Sequence, residues 1–281
     1  MSIETVSTTK AHGGTLGVYK HASTATGTEM TFSVFVPPQA AAGAKLPVLL
    51  YLSGLTCTHA NVTDKGEYRR LCAELGLVFV APDTSPRGDG VADDAAGAYD
   101  FGLGAGFYVN ATQEPFAAHY RMWDYVSEEL PALLAENFPI DPTRMGITGH
   151  SMGGHGALTL GLTFPDRFKS LSAFAPIVAP GQVPWGHKAL GGYLGDDRAA
   201  WRAHDATALV EDGKRPAGAI LIDQGDADNF LAEQLRPELF AAACEQAGID
   251  LTLRLQPGYD HSYNFISTFM DDHLRWHAAR L

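Results

Sequence analysis

The stretch Arg144-Met145-Gly146-Ile147-Thr148-Gly149-His150-Ser151-Met152-Gly153-Gly154-His155-Gly156-Ala157-Leu158-Thr159-Leu160-Gly161-Leu162 decides the fold. Its first five residues read as a short strand and its last nine as a helix of small residues. Between them stands Gly149-x-Ser151-x-Gly153. A serine on so tight a strand-to-helix turn is forced outward, its Oγ standing proud of a sheet. Glycines two residues to either side let the turn close without clashing side chains. The following helix points its N-terminus at the reacting centre, where negative charge will develop. Taken alone, the motif also fits a Gly/Ser turn that merely joins strand to helix, so its partners must decide.

Working outward, the same strand-helix alternation recurs. Thr31-Phe32-Ser33-Val34-Phe35-Val36 alternates polar and apolar, as a half-buried strand does, and Pro37-Pro38 stops it. Ala40-Ala41-Ala42-Gly43-Ala44 reads as an exposed loop. Pro47-Val48-Leu49-Leu50-Tyr51-Leu52 is a continuous apolar run, the mark of a strand buried on both faces. A helix is predicted over 64–75, ending at Gly76 in a C-cap position, and Leu77-Val78-Phe79-Val80-Ala81 is the next strand. A long helix follows over 120–137, kinked or restarted by Pro131. Later strands are expected over 170–175, 219–223 and 251–255, with helices over 234–247 and from 264 to the end. Antiparallel strands first, then repeated βα units, predict one α/β domain over residues 1–281. Its sheet is mostly parallel, with helices on both faces. The Gly- and Asp-rich segment 83–116 is long for a connection, and such loops often carry function.

Composition narrows the function classes. Hydrophobic residues make up 46% of the 281 and charged ones 19%, as in an ordinary globular protein. The formal net charge of −12 argues against nucleic acid or an anionic membrane surface as partner. Cys57, Cys72 and Cys244 are odd in number and widely spaced, so neither a disulfide framework nor a zinc site is expected. The start of the chain shows no signal-peptide pattern, and no apolar run approaches the ~20 residues of a membrane span. The expectation is a protein of a reducing, cytoplasmic compartment, with no metal.

A nucleophilic serine needs a base, and the base an orienting acid, in the chain order Ser, acid, His. Both should lie beyond the carboxyl ends of later strands. His261 meets that demand, in the loop Gln256-Pro257-Gly258-Tyr259-Asp260-His261 after the strand 251–255. His150 and His155 adjoin the serine but read as turn and helix packing residues. His273 and His277 stand four apart on the last helix, a spacing that can bind a metal, yet without a third ligand they read as a solvated face. The acid should follow the strand 219–223, in Asp223-Gln224-Gly225-Asp226-Ala227-Asp228. Asp223 suits loop bracing at the strand end. Spacing leaves Asp226 and Asp228 tied, with Asp260 a weaker rival. The oxyanion hole needs two backbone N–H groups: Met152, directly after the serine, and a residue after a central early strand. Ser53-Gly54-Leu55-Thr56-Cys57-Thr58 follows the run 47–52, which points to Leu55.

With these residues placed, the chain closely resembles the S-formylglutathione hydrolases, the esterase D family of the α/β-hydrolases. The resemblance runs from about Phe35 to Trp276. It rests on blocks such as Leu52-Ser53-Gly54-Leu55-Thr56-Cys57-Thr58, Pro82-Asp83-Thr84-Ser85-Pro86-Arg87-Gly88, the serine motif, Pro184-Trp185-Gly186 and Gly258-Tyr259-Asp260-His261-Ser262. It implies the α/β-hydrolase fold and cleavage of S-formylglutathione to formate and glutathione, a step of formaldehyde detoxification, with no cofactor. It also chooses the acid: the family's aspartate precedes a polar residue and Phe-Leu, here Asp228 before Asn229-Phe230-Leu231. Ser151, Asp228 and His261 are thereby implied as the triad, with Leu55 and Met152 as oxyanion donors. The family's cysteine near the site maps to Cys57, a thiol-reagent target or else a small packing residue. Gly54 and Trp185 would line the substrate pocket, and Lys188 or Arg87 would meet the glutathione moiety. Val183 stands where relatives often have Cys. The family suggests a homodimer. Other readings of the same apparatus are a short-chain carboxylesterase, an acyltransferase and an inactive binding module.

Overall fold

A nine-stranded sheet forms the spine of the computed structural model, which describes residues 2–281. The strands are β1 (Glu4–Ala11), β2 (Gly14–Ala22), β3 (Glu29–Val36), β4 (Leu46–Leu52), β5 (Val78–Pro82), β6 (Ile140–Gly149), β7 (Phe168–Phe174), β8 (Ile220–Gly225) and β9 (Leu251–Gln256). Around them lie α1 (His59–Lys65), α2 (Arg69–Leu75), α3 (Met122–Asp124), α4 (Leu130–Asn137), α5 (Met152–Thr163), α6 (Pro184–Leu194), α7 (Arg198–Arg202), α8 (Ala206–Glu211), α9 (Pro237–Ala247) and α10 (Tyr263–Ala278). The spatial order is β1-β2-β3-β5-β4-β6-β7-β8-β9. The first three strands run antiparallel and β3 pairs antiparallel with β5; from β5 through β9 every pair is parallel.

Every residue of β4 and β5 is buried, as their unbroken apolar sequences require of strands covered on both faces. The chain passes from β4 to β5 on one side, then returns to lay β6 on the other side of β4. That reversal is a topological switch point, where the carboxyl ends of neighbouring strands diverge and leave a crevice. Leu52 at the end of β4 pairs with Gly149 at the end of β6, so the loop after β4 and the Ser151 turn leave the sheet side by side.

Three local differences from the sequence reading have physical causes. The helix predicted over 64–75 is two helices, because Gly66 caps the first and Glu67 takes a left-handed φ of 54°. The helix predicted over 120–137 is divided: one π-type turn, Tyr125–Glu129, separates α3 from α4, and Pro131 sits in the first turn of α4, directly after that widened turn. The hairpin β1–β2 was not predicted. Seven of the eight β1 residues are exposed, so the strand has no buried face to imprint an apolar alternation.

Candidate active site

The turn after β6 holds Ser151 at φ 59° and ψ −118°, a conformation a side-chain-bearing residue adopts only when its surroundings over-determine it. They do so here. The His150 amide donates to the Leu52 carbonyl and the Ser151 amide to the Phe174 carbonyl, each at 3.0 Å, tying the turn to β4 and β7 at once. The Gly153 amide closes the turn on the His150 carbonyl at 2.8 Å. A methyl group on Gly153 would strike the Leu52 carbonyl, and one on Gly149 the Gly153 carbonyl. The two motif glycines are thus required by close backbone approach.

Ser151 opens into a cavity of about 290 Å³ that is also lined by Leu55, Cys57, Trp185, Phe230 and His261. His261 lies in the loop after β9, its Nδ1 2.5 Å from Asp228 Oδ2. The Asp228 side chain is fully buried, and its Oδ1 accepts the Phe230 amide at 2.8 Å. Gln224 Nε2, at the end of β8, donates to Oδ2 at 3.2 Å. Asp226 is exposed and turned away; its Oδ1 accepts the Gly258 amide at 2.6 Å. Asp260 caps the Ser262 amide at 3.0 Å. Of the three acids on these loops, Asp228 alone is brought to the His261 ring.

The loop after β4 is pinned where it meets the serine. The Tyr108 hydroxyl donates to the Ser53 carbonyl at 2.8 Å, and the Thr56 amide to the Gly104 carbonyl at 2.9 Å. Gly54 lies against Ser151: a methyl group there would sit 3.1 Å from the Ser151 Cβ. Among the described residues, the Leu55 and Met152 amides donate to no protein acceptor. Met152 is the first residue of α5, so its N–H has no partner within the helix. Two free N–H groups beside a serine are what a developing oxyanion requires.

His150 is buried against His261, the two ring centroids 4.4 Å apart. Burial, and secondarily the neighbouring imidazole, hold its pKa well below the ordinary value, so it stays neutral. His155 is fully buried and its Nε2 lies 3.0 Å from the Phe107 carbonyl. Cys57 lines the cavity as a buried thiol; burial pushes its pKa up, which disfavours the reactive thiolate. Gly54 and Trp185 also line the cavity.

Two expectations need correction. Lys188 does not line the cavity: its ammonium is taken up by the Asp100 carboxylate, with Asp94 at 3.9 Å. His273 and His277 form no solvated helix face. Both are fully buried, and α10 turns them onto the sheet. His273 Nε2 lies 2.9 Å from Asp223 Oδ2 and its Nδ1 2.8 Å from Ser172 Oγ; His277 lies between Ser172 Oγ at 2.8 Å and Ser170 Oγ at 2.6 Å. The signal was present in the alternation Ser170-Leu171-Ser172 on a buried strand. Sequence reasoning also missed Tyr99, Asn61, Phe230 and Tyr263 as cavity-lining residues. Tyr99 lies in the long segment 83–116 and Phe230 in the Asn229-Phe230-Leu231 block beside Asp228; no pattern marked Asn61 or Tyr263.

The sequence profile of the family described as "Putative esterase" matches residues 23–276. An S-formylglutathione hydrolase of Paracoccus denitrificans is 55% identical over 281 residues, covering 100% of this chain and 99% of that protein. The chain belongs to the S-formylglutathione hydrolase family. The mouse (Mus musculus) S-formylglutathione hydrolase is 51% identical over 284 residues, again covering 100% and 99% of the two chains. A solved S-formylglutathione hydrolase structure from Agrobacterium tumefaciens superposes with a TM-score of 0.96 at 58% identity, covering 99% of both chains. A ferulic acid esterase at 17% identity and a TM-score of 0.73, covering 96% of this chain and 99% of that one, shares the fold alone.

Proposed function

We propose that this chain hydrolyses S-formylglutathione to formate and glutathione through a formyl-enzyme on Ser151. The observation that carries the reading is the 2.5 Å contact of Asp228 with His261 on the wall of the cavity into which Ser151 opens. The names of the family relatives supply the substrate.

In this scheme Ser151 Oγ attacks the formyl carbon and its proton passes to His261 Nε2. Asp228 accepts the Nδ1–H, fixing the tautomer and steadying the imidazolium. The Leu55 and Met152 amides receive the oxyanion, each worth roughly 2.7–4 kcal/mol of barrier. The C–S bond then breaks, and His261 returns the proton to the departing glutathione sulfur. A water deprotonated by His261 attacks the formyl ester and releases formate and Ser151. Thiolate is a better leaving group than alkoxide, so the first step leans less on the imidazolium. No cofactor enters the scheme. The three cysteines are buried and unpaired, which fits a reducing compartment, and we place the enzyme in the cytoplasm as a step of formaldehyde detoxification.

Trp185, Phe230 and Tyr99 wall a cavity small for a ligand pocket, which favours a short acyl group. The test is kcat/KM on S-formylglutathione beside p-nitrophenyl acetate and its butyryl and octanoyl homologues. The thioester is expected to be the best substrate and the longer esters the worst. Equal or better activity on the simple esters would make the chain a carboxylesterase instead.

A further inference from the structure

The thiol half of the proposed substrate is a tripeptide with two carboxylates and one ammonium, anionic overall. A chain of net charge −12 gives it no long-range attraction, so any recognition must be local. An extended peptide advances about 3.3–3.6 Å per residue. With the acyl carbon at Ser151, the carboxylates of the tripeptide therefore reach the rim of the cavity.

The cations near that rim are not equivalent. Lys188 is committed to Asp100, and Arg87 holds Asp83 through Nε and the Cys57 carbonyl through an Nη. Lys65, the last residue of α1, is exposed and pairs with no carboxylate among the described residues. Its Nζ stands 5.9 Å from the centroid of the Tyr263 ring, a cavity wall, and its charge is felt at the cavity-lining Cys57. One turn earlier on the same helix face, Asn61 also lines the cavity. Its Oδ1 accepts the Thr58 amide at 2.9 Å in the capping box of α1, which orients the side chain and leaves Nδ2 as an uncommitted donor among the described residues.

We propose that Lys65 and Asn61 form a subsite for a carboxylate of the thiol half, making the enzyme selective for thioesters whose thiol carries negative charge. The inference rests on the S-formylglutathione reading. A lysine ammonium and an amide N–H supply charge-assisted and neutral hydrogen bonds to one carboxylate. The neighbouring aromatic face limits how many of the ammonium's positions are spent on solvent. Neither group touches the acyl carbon, so the subsite acts on which thiol is accepted and leaves acyl transfer alone.

The test compares wild type, Lys65→Ala and Lys65→Arg on S-formylglutathione, on its dimethyl ester, and on p-nitrophenyl acetate. Lys65→Ala is expected to raise KM for S-formylglutathione about five- to tenfold, the scale of one partly exposed charge-assisted contact. Lys65→Arg should recover most of that loss, and high salt should shrink the gap between wild type and Lys65→Ala. With the dimethyl ester or p-nitrophenyl acetate the two should agree within about twofold, as expected of a group acting only on charge. If wild type turns over S-formylglutathione and Lys65→Ala matches it, the subsite is overturned while the function stands. An equal loss on all three substrates also overturns it. A wild type without S-formylglutathione activity overturns the parent reading and the subsite together.

Discussion

Two arrays of aspartate, histidine and serine share this sheet, and only one of them faces a cavity. Asp228 and His261 lie on loops beyond β8 and β9, 2.5 Å apart, with Ser151 on the same cavity wall. Asp223 and Ser172 lie within the sheet and His273 on the face of α10 packed against it, linked at 2.9 and 2.8 Å and extended through His277 to Ser170. The inventories match; the settings do not. The His261 side chain is 17% exposed, that of His273 not at all. Asp228 has no cationic residue paired with it among the described residues, whereas Asp223 is gripped by Arg254 through two nitrogens. Ser151 stands on a strained turn at the head of a helix with two free amides nearby, while Ser172 is an ordinary residue in the middle of β7. A triad's composition is therefore not its function. Access, a strained serine and nearby N–H donors support the proposal that the open array carries the chemistry and the buried one the scaffold.

The sharpest way to break this contrast is Ser151→Ala. Turnover of S-formylglutathione is expected to fall about 10⁶-fold with thermal stability nearly unchanged. Retention of more than a hundredth of the activity would place the nucleophile elsewhere. Next in size, Asp228→Asn should cost about 10⁴ in kcat, because the imidazole loses its tautomer control. Asp226→Ala should keep most activity; if the two variants behave alike, the acid has been assigned wrongly. The buried array should respond in the opposite currency. His273→Ala removes a packed ring and strips a partner from Asp223, so stability in urea should drop by about 3–5 kcal/mol. The folded fraction should keep kcat within about twofold. A His273→Ala enzyme that is stable but slow would mean the two arrays are coupled.

A further effect is graded with pH. Burial depresses the imidazoles of His150, His155, His273 and His277, that of His155 to about 3. Unfolding restores them to about 6.5, so below that pH the unfolded chain binds more protons and stability falls as pH falls. Burial alone would raise Asp223, but hydrogen bonds from His273, Arg254 and Gln256 bring it to about 2. Its contribution is present above about pH 4 and is lost below it. Urea midpoints should decline steadily from pH 7 to pH 5, with several protons taken up on unfolding. A flat or rising midpoint over that range would contradict the neutral, buried state of these rings.

The contrast also explains what the sequence made legible. Continuous apolar runs at 47–52 and 77–81 announced β4 and β5 because both faces of those strands are buried. Ser151, Leu55 and His261 could be picked out because each follows a recognisable strand directly. Asp226 and Asp228 could not be separated by spacing. Two residues apart in one bend, one faces solvent and the other His261, and only the path of the loop decides which. His273 and His277 misled because polar residues four apart on a terminal helix ordinarily face water. Here Ser170 and Ser172 give them a polar stripe to meet inside the core. The engagement of Lys188 was not legible because the acids that occupy it, Asp94 and Asp100, come from a loop with no pattern of its own.

One measurement bears on the contrast most directly: labelling of the folded protein by a fluorophosphonate probe, with the modified residue mapped by peptide mass spectrometry. The expected result is one probe per chain, on Ser151, with Ser170 and Ser172 untouched and labelling slowed in Asp228→Asn. Absence of labelling, or a label on any other serine, would contradict the assignment of the open array as the catalytic one.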